Sequence, residues 1–257
     1  MAMHYIVSLS PSVTETVIAL DAKEAIVGCT RYCRLDPSVT RVGGLLDADI
    51  EAILRLRPES VWLCSMTPLE VEQKLSKLGI PCERFFFDSL QNIETSVARI
   101  AKLLEKPQLN VEPLNLSNAQ QRSALVVYEP LSLFSAGKET FLSDLLQASG
   151  FSSIADRYAS SWPRLSFEYV CAANPQKIFV ISDLPLKTVI ELYKKDSLWK
   201  HLPAVQNEAI AMLPLIPCLY PGPNYALLIR QLQKDLLVEP IGIEPTTSSL
   251  RTTRSSN

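Results

Sequence analysis

Histidine is scarce in this chain, and its scarcity limits the chemistry that the protein can perform. His4 and His201 are the only two among 257 residues. A serine or cysteine triad needs a histidine base, and a zinc ion held by side chains usually takes several imidazole or thiolate ligands. The G-x-S-x-G, G-x-G-x-x-G and P-loop patterns are also missing. We therefore predict no catalytic residues, no protein-held metal ion, no intrinsic cofactor and no nucleotide site.

An excess of charge and long apolar runs are missing as well. The 25 basic and 27 acidic residues give a formal net charge of −2, and no basic cluster indicates a nucleic-acid partner. No continuous stretch approaches the ~20 apolar residues of a membrane span. A secretory signal would begin with a charged segment and ~7–15 apolar residues, and the sequence shows neither. Six cysteines are too sparse for a disulfide scaffold, so most are expected to be buried.

Strands and helices alternate twice along the chain, which predicts an α/β fold with two lobes and mostly parallel sheets. The first alternation gives an N-terminal lobe over residues 1–105 and the second a C-terminal lobe over residues 124–239. Between them, residues 106–123 carry Pro107 and Pro113 and no helical stripe, so they are predicted to form a single, short connector.

Several local signals locate helix ends. Ser12 and Glu15 have the spacing of a capping box, and Asp49 and Ser89 are candidate N-caps of two further helices. Gly79 stands where a helix would end in a left-handed residue. These signals predict three capped helices in the first lobe.

The two halves contain an internal repeat. Glu51 is followed by Pro58 at a spacing of seven, and Glu168 is followed by Pro175 at the same spacing. Each glutamate falls in the first turn of a predicted short helix, where the helix dipole stabilises a carboxylate. A partner with twofold pseudosymmetry could dock on two exposed carboxylates at equivalent places on the two lobes. The duplication favours this interpretation.

The C-terminal tail, residues 240–257, is polar, rich in serine and threonine and without any period. This composition predicts disorder. The tail also resembles a peptide read antisense through a transfer-RNA gene, so we hypothesise that it is an artefactual extension.

Aromatic and basic residues accumulate in segments predicted to be loops. Open α/β sheets bind ligands in the loops that follow their strands. Rings from both lobes could line a cleft for a flat, largely apolar ligand, with arginines for its anionic groups. The candidates are Arg31, Tyr32, Phe134, Trp162, Arg164 and Tyr220.

A set of motifs resembles, in order, the periplasmic binding proteins that serve ABC importers of cobalamin, haem and ferric siderophores. The resemblance covers residues 5–238. The motifs are Ile6-Val-Ser-Leu-Ser-Pro-Ser-Val-Thr-Glu15, Val27-Gly-Cys-Thr-Arg-Tyr-Cys33, Val42-Gly-Gly44, Asp49-Ile-Glu-Ala-Ile53, Leu56-Arg-Pro58, Phe134-Ser-Ala-Gly-Lys-Glu139, Trp162-Pro-Arg-Leu-Ser-Phe-Glu168 and Asn174-Pro-Gln176.

The resemblance implies two Rossmann-like lobes with the ligand cleft between them. It implies that Glu51 and Glu168 meet arginines of a membrane permease. Tyr32 and Trp162 match aromatic positions around the ligand, and Leu45 stands where the family would place a tryptophan. The implied ligand is a corrinoid such as cobalamin, with haem or a ferric siderophore as alternatives.

Three functions stay open at this point. The first is a monomeric, extracytoplasmic substrate-binding protein that delivers its ligand to an ABC permease. The second is a cytosolic carrier of a corrinoid or metal chelate, which the missing signal peptide favours. The third is a two-lobed transferase, although the diphosphate-binding loops that it needs are not found in the sequence.

Overall fold

A computed structural model describes residues 4–109 and 121–237 of the chain. Its nine strands form two sheets, and every strand pairs with its neighbours in parallel. Helices connect successive strands, as parallel pairing requires. The predicted α/β fold with two parallel-sheet lobes is confirmed.

The first lobe is built on a five-stranded sheet in the order β3-β2-β1-β4-β5. A short 3₁₀ helix, Lys23–Ala25, precedes the second strand. The elements are β1 Ile6–Ser8, α1 Pro11–Ala19, β2 Ile26–Cys29, β3 Thr40–Arg41, α2 Ile50–Leu56, β4 Ser60–Cys64, α3 Leu69–Lys77, β5 Cys82–Phe85 and α4 Leu90–Leu103.

The second lobe is built on a four-stranded sheet in the order β7-β6-β8-β9. Two 3₁₀ helices, Ile154–Arg157 and Trp199–His201, lie in its connections. The elements are β6 Arg122–Tyr128, α5 Phe141–Ala148, β7 Phe151–Ser153, α6 Phe167–Ala173, β8 Lys177–Ile181, α7 Leu186–Lys195, α8 Pro203–Gln206, β9 Ile210–Leu213, α9 Leu215–Leu219 and α10 Tyr225–Leu237.

The internal repeat in the sequence is a repeat of structure. The strand order β2-β1-β4-β5 in the first lobe has the same connectivity as β7-β6-β8-β9 in the second. Both α2 and α6 have seven residues, and each ends in a left-handed residue, Arg57 with φ 48° and Asn174 with φ 42°. The N-cap side chains of Asp49 and Ser166 each accept a hydrogen bond from the third residue of the helix. The halves therefore match position for position around the two glutamates.

Most of the predicted helix ends are confirmed, and one predicted helix start is wrong. The Ser89 hydroxyl caps α4 by accepting from the Asn92 amide at 3.1 Å, and Gly79 adopts φ 77° after α3. The capping box of Ser12 and Glu15 is wrong, because α1 already begins at Pro11. Proline favours the first helical position, where no backbone donor is needed. Ser12 consequently lies inside the first turn.

The lobes share one hydrophobic core. A single cluster of buried side chains contains residues of α1 and α4 from the first lobe and of α5 and α10 from the second. Two polar contacts cross the same boundary: the Leu90 amide donates to Asp144 Oδ2 at 3.0 Å, and the Tyr225 hydroxyl donates to Glu94 Oε1 at 2.6 Å. Packing around α4 therefore joins the lobes, in addition to the covalent connection.

The predicted domain boundaries stay predictions. Residues 106–109 form no helix or strand, and β6 begins at Arg122, inside the predicted connector of residues 106–123. The centre of that connector, residues 110–120, and the predicted disordered tail, residues 240–257, lie outside the described residues.

Candidate ligand-binding site

Five of the predicted ligand-binding residues lie at the carboxyl ends of the strands. Arg31 and Tyr32 follow β2, Phe134 lies in the loop after β6, Trp162 lies between β7 and α6, and Tyr220 lies beyond β9. Carboxyl ends of parallel strands share one edge of a sheet, where loops form the usual binding crevice of an α/β fold. The sheets therefore bring each lobe's candidates to the expected edge.

An aromatic cluster formed by Tyr128, Phe134 and Trp162 is the most distinctive feature of the second lobe. The rings of Phe134 and Trp162 stack with centroids 6.2 Å apart and planes at 17°. The centroid of the Tyr128 ring lies 5.9 Å from the centroid of each of these two rings. Phe134 is 42% exposed and Trp162 is 44% exposed. The aromatic cluster thus presents a ring surface to solvent.

Backbone pairing fixes the aromatic cluster. The Leu165 amide donates to the Leu133 carbonyl at 2.8 Å, and the Ser135 amide donates to the Pro163 carbonyl at 3.0 Å. This antiparallel pairing places two loops side by side although they are distant in sequence. The Ser135 hydroxyl also donates to the Val126 carbonyl on β6 at 2.6 Å, which anchors the pair to the sheet. The rings are consequently held by ordered backbone.

The loop after β2 carries the first lobe's contribution. Tyr32 is 51% exposed, and the guanidinium of Arg31 lies 5.7 Å from its ring centroid. Arg31 also forms an ion pair with Asp47. Asp47 was not among the predicted site residues, because nothing in the sequence showed that its loop folds back beside Arg31.

Two glycines allow that loop to approach Arg31. Gly43 has φ 90°, and a β-carbon there would lie 2.4 Å from the Asp47 carbonyl oxygen. A β-carbon on Gly44 would lie 2.3 Å from the Asp47 carboxylate. Leu45 follows them and is half-buried against the shared core. Leu45 therefore differs from the other candidates, since part of its side chain packs inward.

Tyr220 links the second lobe to the first. Burial raises the pKa of its phenol, and the nearby Cys33 and Tyr32 raise the pKa further. Two positions on, a β-carbon at the buried Gly222 would lie 3.7 Å from the Thr16 hydroxyl on α1. The segment around Tyr220 therefore lies against the first lobe and brings candidates of both lobes together.

Arg164 is an exposed cation beside the aromatic cluster. Its backbone pairs with Phe134 across the two loops. Within residues 4–109 and 121–237, its side chain has no acidic partner. Arg164 can therefore bind an anionic group, whereas the charge of Arg31 is already balanced by Asp47.

Glu51 and Glu168 occupy equivalent positions, each as the second residue of its helix. Both side chains are exposed. Arg55 lies 3.8 Å from Glu51 within the same helix, but this pair is solvated and contributes little. Both carboxylates are accessible to a partner, and their role in docking stays a prediction.

One polar network has the order of a catalytic triad. His4 Nδ1 lies 2.6 Å from Glu59, and His4 Nε2 lies 3.0 Å from the Ser60 hydroxyl. Ser60 is buried, however, and its hydroxyl already accepts from Trp62 Nε1 at 2.9 Å. The network lies where β1 and β4 begin, at the sheet edge opposite the candidate loops. We interpret it as a structural network.

No three histidine, cysteine, aspartate or glutamate side chains within the described ranges are grouped to hold a metal ion. A cavity of about 220 Å³ is lined by Ser123, Ser152, Ser153, Ile154, Arg157, Tyr169, Ala172 and Ala173, away from the aromatic cluster. Among the helices of the described part, none combines the length and apolar character of a membrane span.

Two parallel-sheet lobes with candidate ligand loops at their carboxyl edges match the architecture of a two-lobed solute-binding protein. The sequence profile described as periplasmic binding protein matches residues 6–216. The chain belongs to the periplasmic binding protein family. Because this family consists of solute-binding proteins, the prediction of a non-enzymatic function is confirmed.

Individual relatives bind different solutes. The chain is 24% identical over 198 residues to the vitamin B12-binding protein of Yersinia pestis, covering 70% of each protein. It is 22% identical to the molybdate-binding protein MolA of Haemophilus influenzae, covering 77% of this chain and 68% of MolA. The periplasmic heme-binding protein HutB of Vibrio cholerae has a TM-score of 0.74 at 19% identity, covering 93% of this chain and 100% of HutB.

Proposed function

We propose that this protein captures a corrinoid or another flat metal chelate between its lobes and delivers it to the membrane permease of an ABC importer. The stacked and exposed rings of Phe134 and Trp162 are the observation that carries the proposal. Family membership supports the general role of a substrate-binding protein in an ABC importer.

The exposed area of the aromatic rings favours a flat chelate over a small oxyanion as the ligand. Relatives include proteins for vitamin B12, heme and molybdate, so the family alone does not select a ligand. Molybdate would gain little from aromatic faces and would require several converging hydrogen-bond donors. A corrin or porphyrin can cover the aromatic cluster on one side and Tyr32 on the other. The exposed rings therefore support a corrinoid first, with haem or a ferric siderophore as alternatives.

The charged residues suit different tasks in this proposal. Arg164 has no acidic partner within the described ranges and would bind a carboxylate or phosphate at the rim of the ligand. Arg31 would hold Tyr32 in place, because its guanidinium contacts both the Tyr32 ring and Asp47. Tyr220 would close the site from the second lobe.

Docking would use Glu51 and Glu168. Their matching positions on α2 and α6 give the monomer two carboxylates related by the internal repeat. A permease with two related subunits would present one basic group to each. This role places the protein outside the cytoplasmic membrane, which accords with the periplasmic family that the profile describes.

A ligand panel tests the proposal. The purified chain is titrated with cyanocobalamin, cobinamide, hemin and a ferric siderophore by difference absorption, and with molybdate by calorimetry. We expect saturable binding at one site by at least one chelate and no binding of molybdate. Binding of molybdate alone, or of none of the five compounds, would overturn the proposal.

A further inference from the structure

Cys29 and Cys33 form a buried polar pair that the proposed function does not use. Cys29 is the last residue of β2, and the Cys33 amide donates to the Thr30 carbonyl at 3.1 Å, which folds the chain back in a tight turn. Each thiol affects the other, since Cys29 lowers the pKa of Cys33 and Cys33 raises the pKa of Cys29. Cys29 is 0% exposed and Cys33 is 5% exposed. The two thiols therefore interact in a nearly enclosed environment.

Two hydroxyl groups surround the sulfur of Cys33. The Thr14 hydroxyl lies 3.1 Å from it and shares its proton between this sulfur and Ser8 Oγ at 2.9 Å, and the Thr30 hydroxyl also lies 3.1 Å from the sulfur. Both threonines are fully buried, so water does not compete for these contacts. Hydrogen bonds to a sulfur stabilise its negative charge. A cysteine that only filled the hydrophobic core would need no hydroxyl groups around its sulfur.

Arg41 supplies a fixed cation to Cys29. Its Nη1 donates to the Cys29 sulfur at 3.1 Å and to the Val39 carbonyl at 2.8 Å. Its Nη2 donates to the Leu35 carbonyl at 2.8 Å. The guanidinium is therefore held in position by the backbone of the preceding loop, and it can stabilise a thiolate when Cys29 loses its proton.

We propose that this pair is an oxidant-reactive site, in which the Cys33 thiolate is oxidised by a small hydroperoxide and Cys29 then completes a Cys29–Cys33 disulfide. The surrounding hydroxyls, the neighbouring thiol and the fixed guanidinium are the features that carry it. The proposal does not require the identity of the transported ligand, because the unliganded chain can be tested.

The protonation states support this assignment. The hydrogen bond from Cys29 lowers the pKa of Cys33 to about 6, and the hydroxyls of Thr14 and Thr30 lower it too, against the effect of burial. The hydrogen bond to Cys33 raises the pKa of Cys29, and burial raises it further. At neutral pH the pair therefore keeps one proton, on Cys29, and leaves Cys33 as the nucleophile.

The reaction balances in two steps. The Cys33 thiolate attacks the terminal oxygen of the peroxide, the O–O bond breaks, and Cys33 becomes a sulfenic acid while hydroxide or alkoxide leaves. Cys29 gives up its proton to that leaving group and attacks the Cys33 sulfur, so that the S–S bond forms and the S–O bond breaks. Hydroxide is released to bulk solvent and carries away the negative charge that the Cys33 thiolate brought to the reaction. The two sulfurs lose two electrons in total, which the peroxide accepts.

Cys218 is the matched control within the chain. It is buried like Cys33, and burial raises the pKa of its thiol to about 12. No hydrogen bond stabilises its thiolate within the described part of the chain. Cys218 should therefore remain reduced under conditions that oxidise Cys33. Enclosure also predicts selection by size, so that hydrogen peroxide should oxidise the pair and the much larger oxidised glutathione should not.

Peptide mapping of the full-length protein tests the proposal. After treatment with stoichiometric hydrogen peroxide, free thiols are blocked and the digest is analysed by mass spectrometry. We expect the peptide with Cys29 and Cys33 to lose two hydrogens, and Cys218 to be alkylated. The Cys29→Ser variant should stop at a sulfenic acid on Cys33 that dimedone traps. Oxidised glutathione should leave both cysteines free.

The pH profile separates the proposed thiolate from an ordinary buried cysteine. The oxidation rate of the wild type should rise with a midpoint near the Cys33 pKa of about 6. Thr14→Val removes one hydroxyl, so the midpoint should shift to higher pH even though both cysteines remain. Oxidation of Cys171 or Cys218 ahead of Cys33, or an unshifted profile in Thr14→Val, would overturn the proposal.

Discussion

Replacing Trp162 with alanine removes half of the stacked surface on which the proposed ligand site depends. Trp162 is 44% exposed, and its buried part rests on Phe134 and Tyr128. The exposed part of the ring is the area that a flat ligand can cover. We therefore expect Trp162→Ala to weaken the binding of a corrinoid or haem while the lobe remains folded, since Phe134 is still fixed by the paired loops.

The magnitude follows from the exposed area of the ring. A tryptophan side chain presents roughly 150–250 Å², so covering 44% of it removes about 65–110 Å² from water. At ~25 cal/mol per Å², the loss is about 1.6–2.8 kcal/mol. Such a loss raises the dissociation constant roughly 15- to 100-fold.

Absorption titration of the chelate that the ligand panel identifies measures the effect. Tyr5→Ala is the matched control, because Tyr5 is 45% exposed and lies at the beginning of β1, at the opposite sheet edge. Circular dichroism melting confirms that both variants are folded. Equal affinities for Trp162→Ala and the wild type would refute the placement of the ligand on the aromatic cluster.

Three further predictions concern docking and stability. Alanine at both Glu51 and Glu168 should abolish transport in cells and leave ligand affinity in titrations unchanged; retained transport would contradict the docking role. Tyr225→Phe removes the hydrogen bond to Glu94 and should lower the free energy of unfolding in urea by about 1 kcal/mol. Burial raises the pKa of Asp156 above its ordinary value of 3.8, so its contribution to stability is lost as pH rises through the folded pKa. Asp156→Asn should therefore gain stability relative to the wild type as pH rises above the ordinary aspartate pKa of 3.8 in melting experiments, and a difference that stays constant with pH would contradict this.

Much of the fold could be predicted because its elements carry local signals. The capped helices α2 and α4 begin directly after their predicted N-caps, Asp49 and Ser89. The strands β3 and β7 could not be predicted individually, since segments of two and three residues are too short to show a period. Local chemistry therefore identifies long elements, while short edge strands are defined only by their neighbours.

The ligand-binding site was less predictable than the fold, because several of its contacts form between segments that are distant in sequence. Arg31, Phe134 and Trp162 were recognisable as loop residues by type and position. The contribution of Tyr128 and the ion pair of Asp47 depend on loops that meet only in the folded protein. The hydroxyls around Cys33 come from α1 and from the turn after β2, so their arrangement has no linear signature.

The shared core constrains how a ligand can enter. Opening the lobes as rigid bodies would expose apolar side chains of α4, α5 and α10 and would break the contacts of Asp144 and Glu94 across the boundary. Each 100 Å² of apolar surface exposed in this way costs about 2.5 kcal/mol. The exposed rings of Tyr32 and Trp162 can change rotamer without disturbing that core. Movement of loop side chains at the carboxyl edges is therefore the cheaper route for ligand entry, and the spacing of the two proposed docking glutamates would then change little when the ligand binds.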